Sequence, residues 1–275
     1  MKPLISIILP AYNGAKFIAR AIQSAIDQDY DHFELLIIND GSKDDTEEVI
    51  AKFLGDTRVR YIKNEVNLGL QKTLNVGIHR AVGEFIARLD QDDVWTDRSK
   101  LSKQLEFMTA NKDYVLVGTD ATIVDPEGRE IGSYRMPKTD SQIRSRILSK
   151  NCFLHASIMA RIDAVKRAGL YGEGEDTYCI EDYDLWTRMG MVGKLANMDF
   201  KGLTITVHPD SITARNRVRQ ARKFLSIAWK HIGDYPNAFF GLFTATLRLI
   251  FFKLVSIFPI SGKLVYKLQV FYKSR

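Results

Sequence analysis

Three features of the sequence predict an α/β fold with a mostly parallel central sheet flanked by helices. Apolar runs of strand length alternate with helical patterns through the first ninety residues, the mark of βαβ units. Helices on both sides of such a sheet cover both of its faces. Polar and acidic segments directly follow the apolar runs, and open parallel sheets bind their ligands beyond the carboxyl ends of the strands.

The elements follow in order. Residues 4–9 make a first strand, and residues 15–26 a helix with Phe17, Ile18, Ala21, Ile22 and Ala25 on its apolar face. Residues 33–38 are a second strand, 44–54 a helix, 59–62 a third strand, 71–82 a helix and 84–89 a fourth strand. Beyond Trp95 the alternation lapses. Residues 100–108 read as a helix, 114–117, 121–124 and 153–159 as strands, 183–191 as a helix and 203–207 as a last strand, with a Pro126-Glu127-Gly128 turn between the second and third of these. The N-terminal apolar run meets polar residues at once and has no cleavage pattern, so it is expected to be a buried strand and not a signal peptide.

Charge divides the chain near Ala214. Residues 215–275 carry twelve Lys/Arg against one acid, Asp234, within a chain of net charge +6, which leaves residues 1–214 mildly acidic. The expected organisation is a catalytic domain over 1–214 and a C-terminal helical, basic and apolar, membrane-associating region over 215–275. The basic residues there are interleaved with AFFGLFTATLRLIFFKLVSIFPI, which suits an anionic membrane surface and not nucleic acid. Arg248 and Lys253 argue against a span through the bilayer, at about 2.5–3.5 kcal/mol for each charge near its centre. Packing on the catalytic domain, or on a second subunit in a homo-oligomer, is the alternative. The two cysteines, Cys152 and Cys179, lack metal-ligand spacing and fit a reducing compartment.

The segments after the strands are Pro10-Ala11-Tyr12-Asn13, Asn39-Asp40-Gly41-Ser42, residues 64–69, and Asp90-Gln91-Asp92-Asp93. The last places three carboxylates in four positions, which is costly unless a cation or ligand hydroxyls share the charge. Asp40-Gly41-Ser42 also reads as a turn and helix cap, and the acidic clusters as charges at helix starts.

The order of PAYNG, NDGSKDDT, NEVNLGLQKTLN and LDQDD, followed by HASIMAR, IEDYDLWTRM and VHPDSIT, resembles the family 2 glycosyltransferases of GT-A (Rossmann-like) fold over about residues 4–214. The resemblance implies an inverting transfer of a sugar from a nucleotide-sugar donor, UDP before dTDP, to a glycan or lipid-linked acceptor of bacterial surface polysaccharide type, at the cytoplasmic face of the plasma membrane. It places Pro10, Ala11, Tyr12, Asn13, Asp40, Lys72, Asp90 and Gln91 at the donor. It makes Asp92 and His208 ligands of a divalent metal, Mg²⁺ or Mn²⁺, and Asp182 the general base. On the acceptor side it places His155, Glu181 and Trp186, although Trp186, four residues on from Asp182 along the helix, reads first as core. An alanine follows His155 where the family often has proline, so the local loop is expected to differ. A nicotinamide-dependent oxidoreductase would need a glycine-rich turn after the first strand, where PAYNGAKF has one glycine. A nucleotidyltransferase would need a basic glycine-rich loop near the start of the chain. A non-catalytic binding module would be expected to have lost the acidic cluster or the base.

Overall fold

The computed structural model describes residues 2–206 and 216–257. A nine-stranded sheet runs in the order β3-β2-β1-β4-β8-β6-β9-β5, with β7 added on β6. Its first half is parallel: β1 (Ile5–Ala11) lies between β2 (Phe33–Asn39) and β4 (Phe85–Arg88), and β3 (Val59–Lys63) extends β2. The second half is mixed. β8 (Met159–Arg161) runs antiparallel to both β4 and β6 (Tyr114–Val124), β9 (Lys194–Thr206) parallel to β6, and β5 (Val94–Trp95) antiparallel to β9; β7 spans Glu130–Tyr134.

Alternation along the strands builds two cores. Ile8, Leu36, Ile38 and Ile86 face Leu74 and Ile78 of α3 (Leu70–Arg80). Ile5, Ile7, Leu9, Leu35, Ile37 and Ala87 face α1 (Ile18–Ile26), α2 (Thr46–Ala51) and α4 (Lys100–Ala110). Strand side chains alternate between faces, so strands apolar at every position are the ones covered twice. On the α3 side, α5 (Asp140–Arg144), α6 (Ile162–Arg167) and α7 (Glu181–Val192) complete the first core. Two further helices, α8 (Arg217–Lys230) and α9 (Ala238–Ile257), add Phe224, Ile227, Ala228, Leu242 and Ala245 to it. Part of the basic, apolar region therefore packs on the body.

Three expectations are corrected in detail. The strand expected over 153–159 is a 3-10 turn at His155–Ser157, and pairing begins only at Met159. Ser157 explains this: its N–H and Oγ both donate to the Leu154 carbonyl, at 2.9 and 2.8 Å, and its Oγ accepts from Thr119 N–H. Such side-chain bonds to nearby backbone compete with a strand ladder. The strands expected at 114–117 and 121–124 are one strand, β6, which passes through register shifts against β9. The helix expected from residue 15 starts at Ile18 because Gly14 O takes the Phe17 and Ile18 N–H groups in a preceding turn.

Candidate active site

Four loops meet at the carboxyl ends of the parallel strands, and side chains tie them together. Asn13 accepts from Lys43 N–H through Oδ1 at 2.8 Å, while its own N–H donates to Ser42 Oγ at 3.0 Å. The first loop is thereby fixed to the second. Gln91 binds the same loop from the other side, accepting from Tyr12 N–H at 2.9 Å and donating to Tyr12 O at 3.1 Å. Its amide lies against Gly14, where a Cβ would come within 2.2 Å of Gln91 Oε1. Pro10 and Ala11 are buried in β1, whereas the Tyr12 ring is 44% exposed at the mouth.

Asp40 is buried at the end of β2 and accepts three hydrogen bonds: Leu68 N–H at 2.9 Å, Gly69 N–H at 2.9 Å and Asn64 Nδ2 at 2.8 Å. A carboxylate offers about four acceptor positions, so one remains. Gly41 makes the approach to the 64–69 loop possible. It sits at φ +68°, and a Cβ there would lie 2.8 Å from the Val66 backbone.

β4 ends in the residue that organises the acidic cluster. Arg88 is 1% exposed and forms an ion pair with Asp90, whose side chain is 34% exposed. An unpaired charge at this depth would cost several kcal/mol. Burial works against the guanidinium's charge, but the Asp90 carboxylate beside it outweighs this and holds the group more firmly protonated than usual. Its Nε and Nη2 have no hydrogen-bond partner among the described residues. Asp93 is buried, and burial together with the charges of Asp90 and Asp92 pushes its carboxyl well above the usual range. Asp92 lies half-buried beside it.

The second acidic pair opens α7. Asp182 accepts from Tyr183 N–H at 2.7 Å and from Asn151 Nδ2 at 2.8 Å. Burial raises its pKa, opposed by those two hydrogen bonds and by Arg88. Glu181 is pushed up to about 7 by burial and then by the charge of Asp182. Above them His155 Nε2 meets the Tyr171 hydroxyl at 2.7 Å, and both rings lie edge-on to Trp186. Burial, then Arg88, drops the His155 pKa well below its ordinary value, so it is a neutral imidazole. Trp186 is 1% exposed and packs as core beneath this layer. Both acidic groups thus lie within electrostatic reach of one cation: Arg88 pairs directly with Asp90, and its charge is felt at Asp93, Glu181, Asp182, Tyr171 and His155.

One expected residue stands apart. Lys72 is exposed on the first turn of α3 and forms no ion pair among the described residues; His208 lies outside the described residues. The structure adds residues that sequence reasoning passed over. Arg88 was legible as the one charge inside the run FIARL, since a fully buried arginine is rare unless paired. Tyr171 and Asn151 carried no local signal. Asn75, beside Lys72, is a structural tie that donates to Tyr171 O and accepts from Tyr171 N–H.

The cluster fits a divalent cation of the Mg²⁺ or Mn²⁺ kind. Its donors are hard carboxylate oxygens, and burial, then repulsion from Asp90 and Asp92, raises the Asp93 pKa. Among the described residues no group of three or more His, Cys, Asp or Glu is placed to hold a metal ion. A cation here would take one or two carboxylates and draw its other ligands from a diphosphate and water.

A family model described as Glycosyl transferase family 2 matches residues 6–168. An uncharacterized glycosyltransferase of Haemophilus influenzae is 32% identical over 253 residues, which cover 86% of this chain and 75% of that protein. Among solved structures, S. aureus TarS 1-349 in complex with UDP-GlcNAc is similar at a TM-score of 0.68 and 20% identity, over 89% of this chain and 70% of that one. Mannosyltransferase PcManGT from Pyrobaculum calidifontis, in complex with GDP-Man and Mn²⁺, is similar at a TM-score of 0.66 and 17% identity, over 98% of this chain and 80% of that one. These structural likenesses show the shared GT-A fold.

Proposed function

Because the chain belongs to glycosyl transferase family 2, we propose that this glycosyltransferase moves a sugar from a nucleoside diphosphate, UDP before dTDP, to a hydroxyl of a glycan or lipid-linked acceptor, with inversion. The observation that carries the reading is that Arg88 pairs with Asp90 at the end of β4 while Glu181 and Asp182, at the start of α7, lie within its electrostatic reach. An inverting displacement needs a cationic or hydrogen-bonding bed for the leaving diphosphate and a carboxylate on the opposite face of the sugar.

The residues divide the work. Tyr12 offers a ring face to the base, and the remaining acceptor position of Asp40 takes a base N–H. Asp92 and His208 would hold the divalent cation, with Asp90 at the donor beside them; when bound, the ion would offset charge developing on the diphosphate. Asp182 takes the acceptor proton, oriented by Asn151 and the Tyr183 amide. Its raised pKa brings it nearer the working pH and makes it a stronger base than a solvated aspartate. His155, held neutral against Tyr171, lines the acceptor side without adding a positive charge that would weaken the base. The bound UDP-GlcNAc of TarS and the GDP-Man and Mn²⁺ of PcManGT support the donor class and the metal. Two free thiols, Cys152 and Cys179, support work in the cytoplasm.

Incubating the purified enzyme with a panel of UDP-, dTDP- and GDP-sugars, with and without Mn²⁺, and following release of the nucleoside diphosphate by mass spectrometry tests this reading. A UDP-sugar consumed only in the presence of the divalent cation is the expected result. Release of nucleotide from no member of the panel, with acceptor glycans supplied, would reject it.

A further inference from the structure

The helix α9 has two unlike faces. Ala238, Leu242 and Ala245 are buried against the body, and Gly241 comes so near Leu148 that a Cβ would lie 2.7 Å from the Leu148 Cβ. Arg248, in the middle of the helix, donates to Ser149 O and lies 4.8 Å from the centre of the Phe224 ring. The opposite face carries Phe240, Phe243, Leu247, Phe251 and Leu254, all 44–62% exposed and spaced at three or four residues, with Phe239 beside them at 83%. Side chains at that spacing form one continuous stripe.

Next to the stripe, α8 presents Trp229, 67% exposed, and a groove of about 460 Å³ runs between the two helices, lined by Arg222, Leu225, Ser226, Trp229, Leu242 and Thr246. Arg222 lines this groove, and Lys230 and Lys253 are exposed on the same two helices. We propose that the outer face of α9, with Trp229 and these basic residues, is the surface by which the enzyme lies on an anionic bilayer, α9 in the plane of the membrane. The apolar stripe enters the acyl boundary and the cations meet lipid phosphates, which is how interfacial helices bind.

Two other arrangements fit less well. Residues 238–255 have the length and a mean hydropathy of 1.7 for a span, but a spanning helix is surrounded by lipid, whereas α9 is fastened along one side to Leu148, Ser149 and Phe224. A second copy of the chain on a two-fold axis would press the same basic residues against one another, which is repulsive where a bilayer is attractive.

The surface is continuous with the catalytic machinery. Ser149, held by Arg248, is two residues from Asn151, which orients Asp182. Phe224, beneath Arg248, stacks on Tyr183 with ring centres 3.8 Å apart. The supports of the base therefore sit directly behind the docking face. The proposal itself concerns binding alone and does not depend on the reaction.

The other two tryptophans, Trp95 and Trp186, are buried, so Trp229 reports on this surface. The full chain is mixed with phosphatidylcholine vesicles, with and without phosphatidylglycerol, and followed by flotation and by tryptophan emission. Binding to the anionic vesicles, weakened by salt, with blue-shifted emission quenched by bromine-labelled lipid, is expected. A Phe243→Ser, Leu247→Ser double variant, altered only at exposed positions, should keep the wild-type circular dichroism and lose about tenfold or more in vesicle partitioning. Alkaline carbonate should release the bound protein. The proposal is overturned if anionic vesicles float no protein, if the folded double variant floats as well as wild type, or if carbonate fails to extract it. It is likewise overturned if the stripe is covered in a dimer that the same two substitutions dissociate.

Discussion

The two acidic groups, Asp90 to Asp93 and Glu181-Asp182, are alike in composition and unlike in setting. The first lies in a loop at the mouth, with Asp90 about one-third exposed and ion-paired to Arg88. The second is set into the first turn of α7, with Glu181 raised to about 7 and Asp182 raised as well. Depth separates their chemistry. Asp90, beside a guanidinium at the mouth, suits a cation; Asp93, Glu181 and Asp182, taken out of water, hold a proton more readily. Arg88 links the two settings, paired with Asp90 and opposing the upward shifts of Glu181 and Asp182.

The comparison can be broken most directly at Asp182. Asp182→Asn should lower kcat by about 10³-fold, within the 10²–10⁴ range of general-base catalysis, while donor affinity stays near wild type. Asp92→Ala should do the reverse, weakening cation-dependent donor binding measured by calorimetry. If both variants lose donor affinity equally, the division of labour fails.

Arg88 comes next. Arg88→Met should cost about 3–5 kcal/mol of stability at neutral pH, the usual result of stripping a buried pair of one partner, and Arg88→Lys should recover part of it. The deficit should narrow as pH falls, because protonation relieves the carboxylates left behind. Thermal unfolding of the three proteins from pH 8 to pH 5 checks both the size and the trend. An unchanged midpoint for Arg88→Met would remove Arg88 from the centre of this account.

Smaller effects are expected at Asp40 and Glu181. Asp40→Ala should weaken UDP binding by about 1–3 kcal/mol, the cost of leaving hydrogen-bonding groups unpaired. Unchanged UDP affinity by calorimetry would leave Asp40 only its tie to Leu68 and Gly69. Glu181 carries a folded pKa of about 7 against an ordinary 4.5. Between those values the folded state holds a proton that the unfolded chain has released, so stability is highest below pH 4.5 and falls as pH rises towards 7. Glu181→Gln should remove that slope and stabilise the enzyme at pH 8 by about 1–3 kcal/mol. Denaturant titrations at pH 5 and pH 8 would show it; an equal effect at both would mean that the burial of Glu181 is not what strains the site.

By itself the sequence determined the parallel half of the sheet and the loops that carry the donor residues. The apolar runs in β1, β2 and β4 are local signals of strands covered on both faces, and Pro10 to Asn13, Asp40 and Asp90 to Asp93 follow from where those strands end. It also carried the ED pair through a motif at the start of a helix. Only the tertiary structure decided that this pair and the acidic loop lie within electrostatic reach of one cation: β4 reaches β6 through β8, and Asn151, from the segment before β8, holds Asp182. No local periodicity encodes such a pairing. The turn at His155–Ser157 escaped for a similar reason: Ser157 answers to Leu154 nearby and to Thr119 far along the chain. The apolar stretch after residue 238 showed length and greasiness, and only packing could say which side of α9 the body covers. Side-chain period and turn chemistry are properties of neighbours in the chain, whereas burial and charge compensation are properties of neighbours in space.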